Sequence, residues 1–221
     1  MANDWCGKTT WSEADQADFF ARLKRSRTDY HKTQYLRIQA HCLEDVGSPE
    51  LLQAAIKLLD KILTEFSEGE FPERAWLATA YSQKASCLLK LGDVDNAIVN
   101  YQRALAAERE FRTLKTNAFI DFGKLVAEKK LAHLFDEALV ALEAELNSRG
   151  MHFPSEIFYA FGIRSIIAAH RGQTEKAKEF AKVALEAAAK DHSGLRYHPT
   201  AGLVGDKETT FYKSVQAIAQ N

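Results

Sequence analysis

Apolar residues recur three and four apart along this chain and nowhere alternate with period two for long enough to make a strand, so the pattern predicts helices throughout. Phe19, Phe20 and Leu23 give one side of a first helix opening at Ser12, where Asp15 completes a capping box. Arg25-Ser26-Arg27 interrupts that pattern. A second helix follows from about Thr28 to Val46 on Leu36, Ala40 and Leu43, and Gly47 ends it. Ser48 and Pro49 open a third, whose stripe is Leu52, Ala55, Ile56, Leu59, Ile62 and Leu63. Further helices are expected over Glu73–Leu91, Val94–Glu110, Lys115–Lys130, Phe135–Leu146, Phe153–Arg171, Thr174–Lys190 and Lys207–Ala219, with Thr174 and Asp206 as caps. Trp5–Thr10 reads as a loose lead-in, Ser67–Pro72 as a loop and Asp191–Gly205 as irregular.

The stretch Leu91–Leu105 holds a helix end, a tight corner and a helix start. Gly92 closes one helix, Asp93 or Asp95 can accept from the free amides of the next, and Ala97, Ile98, Tyr101, Ala104 and Leu105 form its buried stripe. The corner recurs. Ala55-Ile56, Ala97-Ile98, Ala138-Leu139 and Ala177-Lys178 fall at a period of about 40 residues. Gly47, Gly92 and Gly172 mark three corners; the third of the four corners has His133-Leu134 instead, and the first has extra residues before its alanine. Cys42 and Cys87 stand at the same place ahead of their corner glycines, which reads as two buried structural thiols. Units of this sort bury their apolar faces only against neighbours.

The second copy resembles a tetratricopeptide repeat (TPR) over Ala78–Phe111: Ala85, Leu88, Gly92, Asp93, Ala97, Tyr101 and Ala104 follow the order of that family. Tyr81 stands where tryptophan is common, and the terminal proline is missing. The fourth copy matches through Phe161, Gly172, Ala177, Ala184 and Leu185; the first and third match in part. The resemblance runs from about Thr28 to Lys190. It implies an all-α fold, a right-handed α-α superhelix of about four TPR-like helical hairpins with an N-terminal helix and a C-terminal capping helix. The implied division is 1–27 for the lead-in and first helix, 28–190 for the repeats and 191–221 for the irregular segment and cap. A period longer than the roughly 34 residues of that family leaves armadillo- or HEAT-like packing open.

Composition narrows the function classes. At 221 residues, 46% hydrophobic and 27% charged, with 4 prolines and 11 glycines, the chain can bury a core and does not read as disordered. A formal net charge of −1 supplies no global field for nucleic acid or an anionic membrane, so neither is expected as a partner. The N-terminus lacks a signal-like apolar run, and a cytoplasmic location is expected. Cys6, Cys42 and Cys87 are odd in number and widely spaced, as suits reduced thiols. No phosphate-cradling glycine loop, HExxH, CxxC or nucleophile elbow occurs, so no catalytic residue, metal or cofactor is expected.

The resemblance places binding residues on the first helix of each repeat, facing a concave groove. Carried over by register, these are Gln34, Arg37, His41 and Glu44; Thr79, Ser82 and Ser86; Ile120, Gly123, Ala127 and Lys130; and Tyr159, Gly162, Ile166 and His170, with Asn117, Asp121 and Lys124 beside them. The lysine–asparagine clamp by which some members hold chaperone tails reads here as Arg37, His41, Gln83, Ile120 and Lys124, so that role is not expected. Outside the repeats, Arg196, Tyr197 and His198 lie in the segment His192–Thr200, either as a binding or catalytic loop or as a tail packed over the last repeat. The leading expectation is a non-enzymatic protein–protein interaction scaffold that holds a peptide or protein, with Arg37 and Tyr159 as anchors. Alternatives are a dedicated inhibitor, such as an immunity protein occluding a toxin, and an enzyme or small-ligand receptor using Arg196-Tyr197-His198 with His41.

Overall fold

The computed structural model describes residues 5–66, 76–110 and 115–221, Arg149 by its backbone alone. Among the described residues all regular structure is helical. The ten α-helices are α1 (Glu13–Leu23), α2 (Asp29–Val46), α3 (Pro49–Glu65), α4 (Leu77–Lys90), α5 (Val94–Glu110), α6 (Ala118–Glu128), α7 (Phe135–Arg149), α8 (Pro154–His170), α9 (Thr174–Ala188) and α10 (Thr210–Gln220), with a 3-10 turn at Ala132–Leu134. They divide into two compact units, Met1–Ala118 and Phe119–Asn221, so the expected boundaries after residues 27 and 190 fall inside the units. The loop expected at 67–72, the helix start expected at Glu73 and Phe111 lie outside the described residues.

In the first unit, α1 opens with the expected capping box: the Asp15 amide donates to Ser12 Oγ at 3.2 Å and the Ser12 amide to Asp15 Oδ2 at 3.0 Å. Lys8, Thr10 and the Ser12 hydroxyl also donate to that carboxylate, and together they hold its pKa far below the usual range. The lead-in is not loose. The Trp5 ring lies 5.3 Å from Phe19 and 4.8 Å from Tyr35, and fully buried Gln39 exchanges two hydrogen bonds with the Lys8 backbone, at 3.1 and 2.7 Å. A buried amide needs partners, and here the lead-in supplies them. Thr28 caps α2 and Ser48 caps α3, each accepting from an amide three residues on. α2 pairs with α3, α3 with α4 and α4 with α5.

In the second unit α8 packs on α9, and α10 packs on both. Gly123 lets α6 approach its neighbours: a Cβ there would lie 3.0 Å from Ile163 Cδ1 and 3.7 Å from Leu142 Cδ1. Ala55, Ala97, Ala138 and Ala177 are all fully or almost fully buried, one in each of α3, α5, α7 and α9.

The corners explain the spacing. Asp93 donates to Leu88 O at 2.9 Å, Leu131 to Val126 O at 3.0 Å and Gln173 to Ala168 O at 2.9 Å, the same wrap around a left-handed residue. That residue is Gly92 (φ 85°), Lys130 (φ 56°) and Gly172 (φ 71°) respectively. The third corner therefore pivots on Lys130, not on His133-Leu134, and the 3-10 turn accommodates its longer path to Ala138. Lys130 was placed in the groove by register; its backbone belongs to this corner instead.

Several local expectations shift. α6 spans Ala118–Glu128 because Thr116 Oγ1 accepts from the Ala118 amide and sets the start. Thr174 is the first helical residue of α9 rather than its cap, which is Gln173 without a side-chain bond. α10 is capped by Thr209, which accepts from the Tyr212 amide at 3.2 Å, while Asp206 accepts from Glu208 and leaves 207–209 outside the helix.

Candidate functional site

The site residues named from the sequence fall into three groups. The first lies along α2 and α4. Glu44 is buried, and its Oε1 accepts from Ser86 Oγ at 2.6 Å and from Lys90 Nζ at 2.9 Å. Expected on a groove rim facing a partner, Glu44 and Ser86 are instead bonded to each other across two helices. The charge is compensated within the chain, as a buried carboxylate requires. Cys87 is fully buried beside this pair; burial first, and then the charge of Glu44, push its thiol up to about 12, with Lys90 opposing. Cys42, at the equivalent place, is only half-buried.

Nearer the start of α2, the Arg37 guanidinium lies 5.1 Å from the Trp76 ring centre. Burial lowers the Arg37 pKa, but guanidinium stays charged in proteins. Among the described residues neither Arg37 Nε nor Trp76 Nε1 has an acceptor. His41 is exposed, its Nε2 3.6 Å from Asp45 Oδ2 one turn on. Ser82 is half-buried on α4. This strip offers a cation stacked on an indole, with an imidazole on the same helix.

The second group gathers under α10. Lys124 Nζ lies 5.5 Å from the Tyr159 ring and 5.8 Å from that of Phe211, and the Tyr159 and Phe211 rings are 5.6 Å apart. A Cβ on Gly162 would meet Phe211 Cε1 at 2.7 Å and Val215 Cγ2 at 3.0 Å, so α10 fills the space that Gly162 leaves. Ile166 is buried as well. Tyr159 and Lys124 thus contact the chain's own last helix. Asp121 is half-buried on α6, and Asn117 is exposed ahead of it in the first unit.

The third group is the loop holding Arg196 and His198. Residues 191–200 are exposed apart from half-buried Ser193. Their order comes from within: the Ser193 amide donates to Pro199 O and its hydroxyl to His198 O, both at 2.7 Å, and the His198 amide donates to Leu195 O at 3.2 Å. Arg196 lies over the Tyr197 ring at 5.4 Å, and Tyr197 is 78% exposed. The alternative of a packed tail holds only from Ala201: Gly202 O accepts from the Ser155 amide at 2.8 Å, and Val204 is buried. Three cavities, of about 220, 400 and 520 Å³, are lined by residues outside 191–200.

Trp76 and Lys90 escaped the sequence reading. Lys90 follows Ser86 by one helical turn, which was a usable signal. Trp76 has none beyond being aromatic at a helix start. Among the described residues no group of three or more His, Cys, Asp or Glu could hold a metal, and no helix is long and apolar enough to cross a membrane. Compared with protein-family models, curated proteins and solved structures, the chain matches none.

Proposed function

We propose that the protein is a non-enzymatic binding scaffold of tetratricopeptide-like hairpins, whose α2–α4 face in the first unit holds a protein or peptide partner. The hairpin reading is supported by the equivalent buried alanines and by the shared wrap at three corners. The observation that carries the binding reading is Arg37 stacked on Trp76 with exposed His41 on the same helix. Arginine and tryptophan are the residues that most often anchor protein interfaces. Binding through the second unit is disfavoured, because α10 already lies on Tyr159 and Gly162. Arg196-Tyr197-His198 sits in an open loop, which suits contact with a partner better than catalysis in a water-excluding pocket.

Affinity capture from the native host tests this. Arg37→Ala should weaken capture of the partner by about 30-fold, equivalent to about 2 kcal/mol, with the helical circular dichroism spectrum at the capture temperature unchanged. Tyr159→Ala should lower the melting temperature instead. Undiminished capture by Arg37→Ala removes the α2–α4 face from the account.

A further inference from the structure

At the turn from α1 into α2 the first unit has an open surface recess of about 400 Å³. Among the described residues its lining includes Trp5, Arg22, Arg25, Arg27, His31 and Tyr35: three guanidinium groups, three flat rings and no carboxylate. In a chain of net charge −1 this is a local concentration of positive charge. Of the nearby carboxylates, Asp18 pairs with the lining residue Arg22 through Nε at 2.8 Å and lies 3.3 Å from Lys8, and Asp29 pairs with Lys32 at 2.8 Å, so Arg25 and Arg27 carry the positive charge offered to a ligand. Arg25 and Arg27 are exposed, on the two sides of Ser26.

The rings are positioned as well as the charges. Trp5 and Tyr35 are 4.8 Å apart, and the His31 ring lies 6.3 Å from Tyr35 with an interplanar angle of 27°. His31 Nδ1 is 2.7 Å from Thr28 Oγ1, so its Nε2 is the ring nitrogen left for a ligand. The first turn of α2 adds the partial positive charge of a helix start. Arginine forks match the oxygens of a phosphate, and indole and phenol faces match a flat ring.

We infer that this recess binds a phosphate monoester that also contains a planar aromatic ring, the phosphate against Arg25 and Arg27 and the ring against Trp5 and Tyr35. The same chemistry is offered by a nucleotide and by a phosphotyrosine side chain. The site uses other residues than the proposed α2–α4 face, and its test does not depend on that reading.

Isothermal titration calorimetry of the full chain with AMP and with O-phosphotyrosine tests the inference. At least one should bind with a Kd of about 1 mM or tighter. Saturation by AMP alone identifies a nucleotide site, and by phosphotyrosine alone a phosphoprotein site; either supports the proposal. Adenosine, tyrosine and inorganic phosphate should bind at least about ten-fold more weakly, since each lacks one of the two recognised parts. Arg25→Gln/Arg27→Gln should lower affinity by at least about ten-fold while the thermal melt stays in place, because both side chains are exposed. Quenching of tryptophan fluorescence by the ligand, lost in Trp5→Phe, gives a second readout. Absence of saturable binding by both probes, equal affinity for inorganic phosphate, or binding unaltered in the double arginine variant would each overturn it.

Discussion

Arg37 and Gly162 stand the same distance ahead of their corner glycines, Gly47 and Gly172, yet the two units use that place in opposite ways. On α2 the long side chain lies over Trp76, and polar groups link the helix to α4 through Glu44, Ser86 and Lys90. On α8 the missing side chain leaves a notch that Phe211 and Val215 of α10 fill. One seam is polar and partly open; the other is apolar and closed. The difference shows that repeat register alone does not specify a binding face. What projects from the register position decides whether the chain itself fills it, as α10 does at Gly162.

The largest effect should come from the closed seam. Phe211 is fully buried against Phe158 and Tyr159 of α8, and Phe211→Ala should cost about 3–5 kcal/mol in denaturant unfolding of the chain. Gly162→Ala should cost about 1–3 kcal/mol by overpacking. Placed in the Phe211→Ala background, the same change should cost less, because the two shortest clashes are with the Phe211 ring and only the 3.0 Å contact with Val215 Cγ2 remains. Additive costs would mean that α10 does not rest in the Gly162 notch.

The open seam should respond less. Glu44→Ala should cost about 1–2 kcal/mol, at the lower end for a charged hydrogen bond because Lys90 is half-exposed and regains water. A loss as large as that of Phe211→Ala would erase the distinction between the seams.

A further effect separates the seams by pH. The Cys87 thiol is raised in the folded chain to about 12 from an ordinary value of 9.0. A raised folded pKa contributes stability that is full below the unfolded value and is lost as pH rises toward the folded one. Stability should therefore erode between about pH 9 and 12, and Cys87→Ala should flatten that slope in urea titrations run across the range.

Much of the fold was legible because it is locally encoded. Ser12 with Asp15, Thr28 and Ser48 start helices, and Gly47, Gly92 and Gly172 end them, through bonds that span only a few residues. The alanine register was legible for the same reason. Lys130 was hidden, since a left-handed lysine carries no mark in the sequence. The candidate site was less legible because its contacts are long-range. Glu44 was named without Lys90, Tyr159 without Phe211, and the Trp5–Thr10 segment without Gln39. Each of those partners is set by how helices pack, which the spacing of apolar residues leaves open.

The most direct measurement places a photo-crosslinking benzoylphenylalanine at His41, on the α2 face, and separately at Val140 on α7, which is 63% exposed, and irradiates each in native host extract. The account predicts an adduct of defined mass from position 41, none from position 140, and loss of the adduct when Arg37→Ala is added. An adduct from position 140 with none from 41, or an undiminished yield in the Arg37→Ala chain, would contradict it.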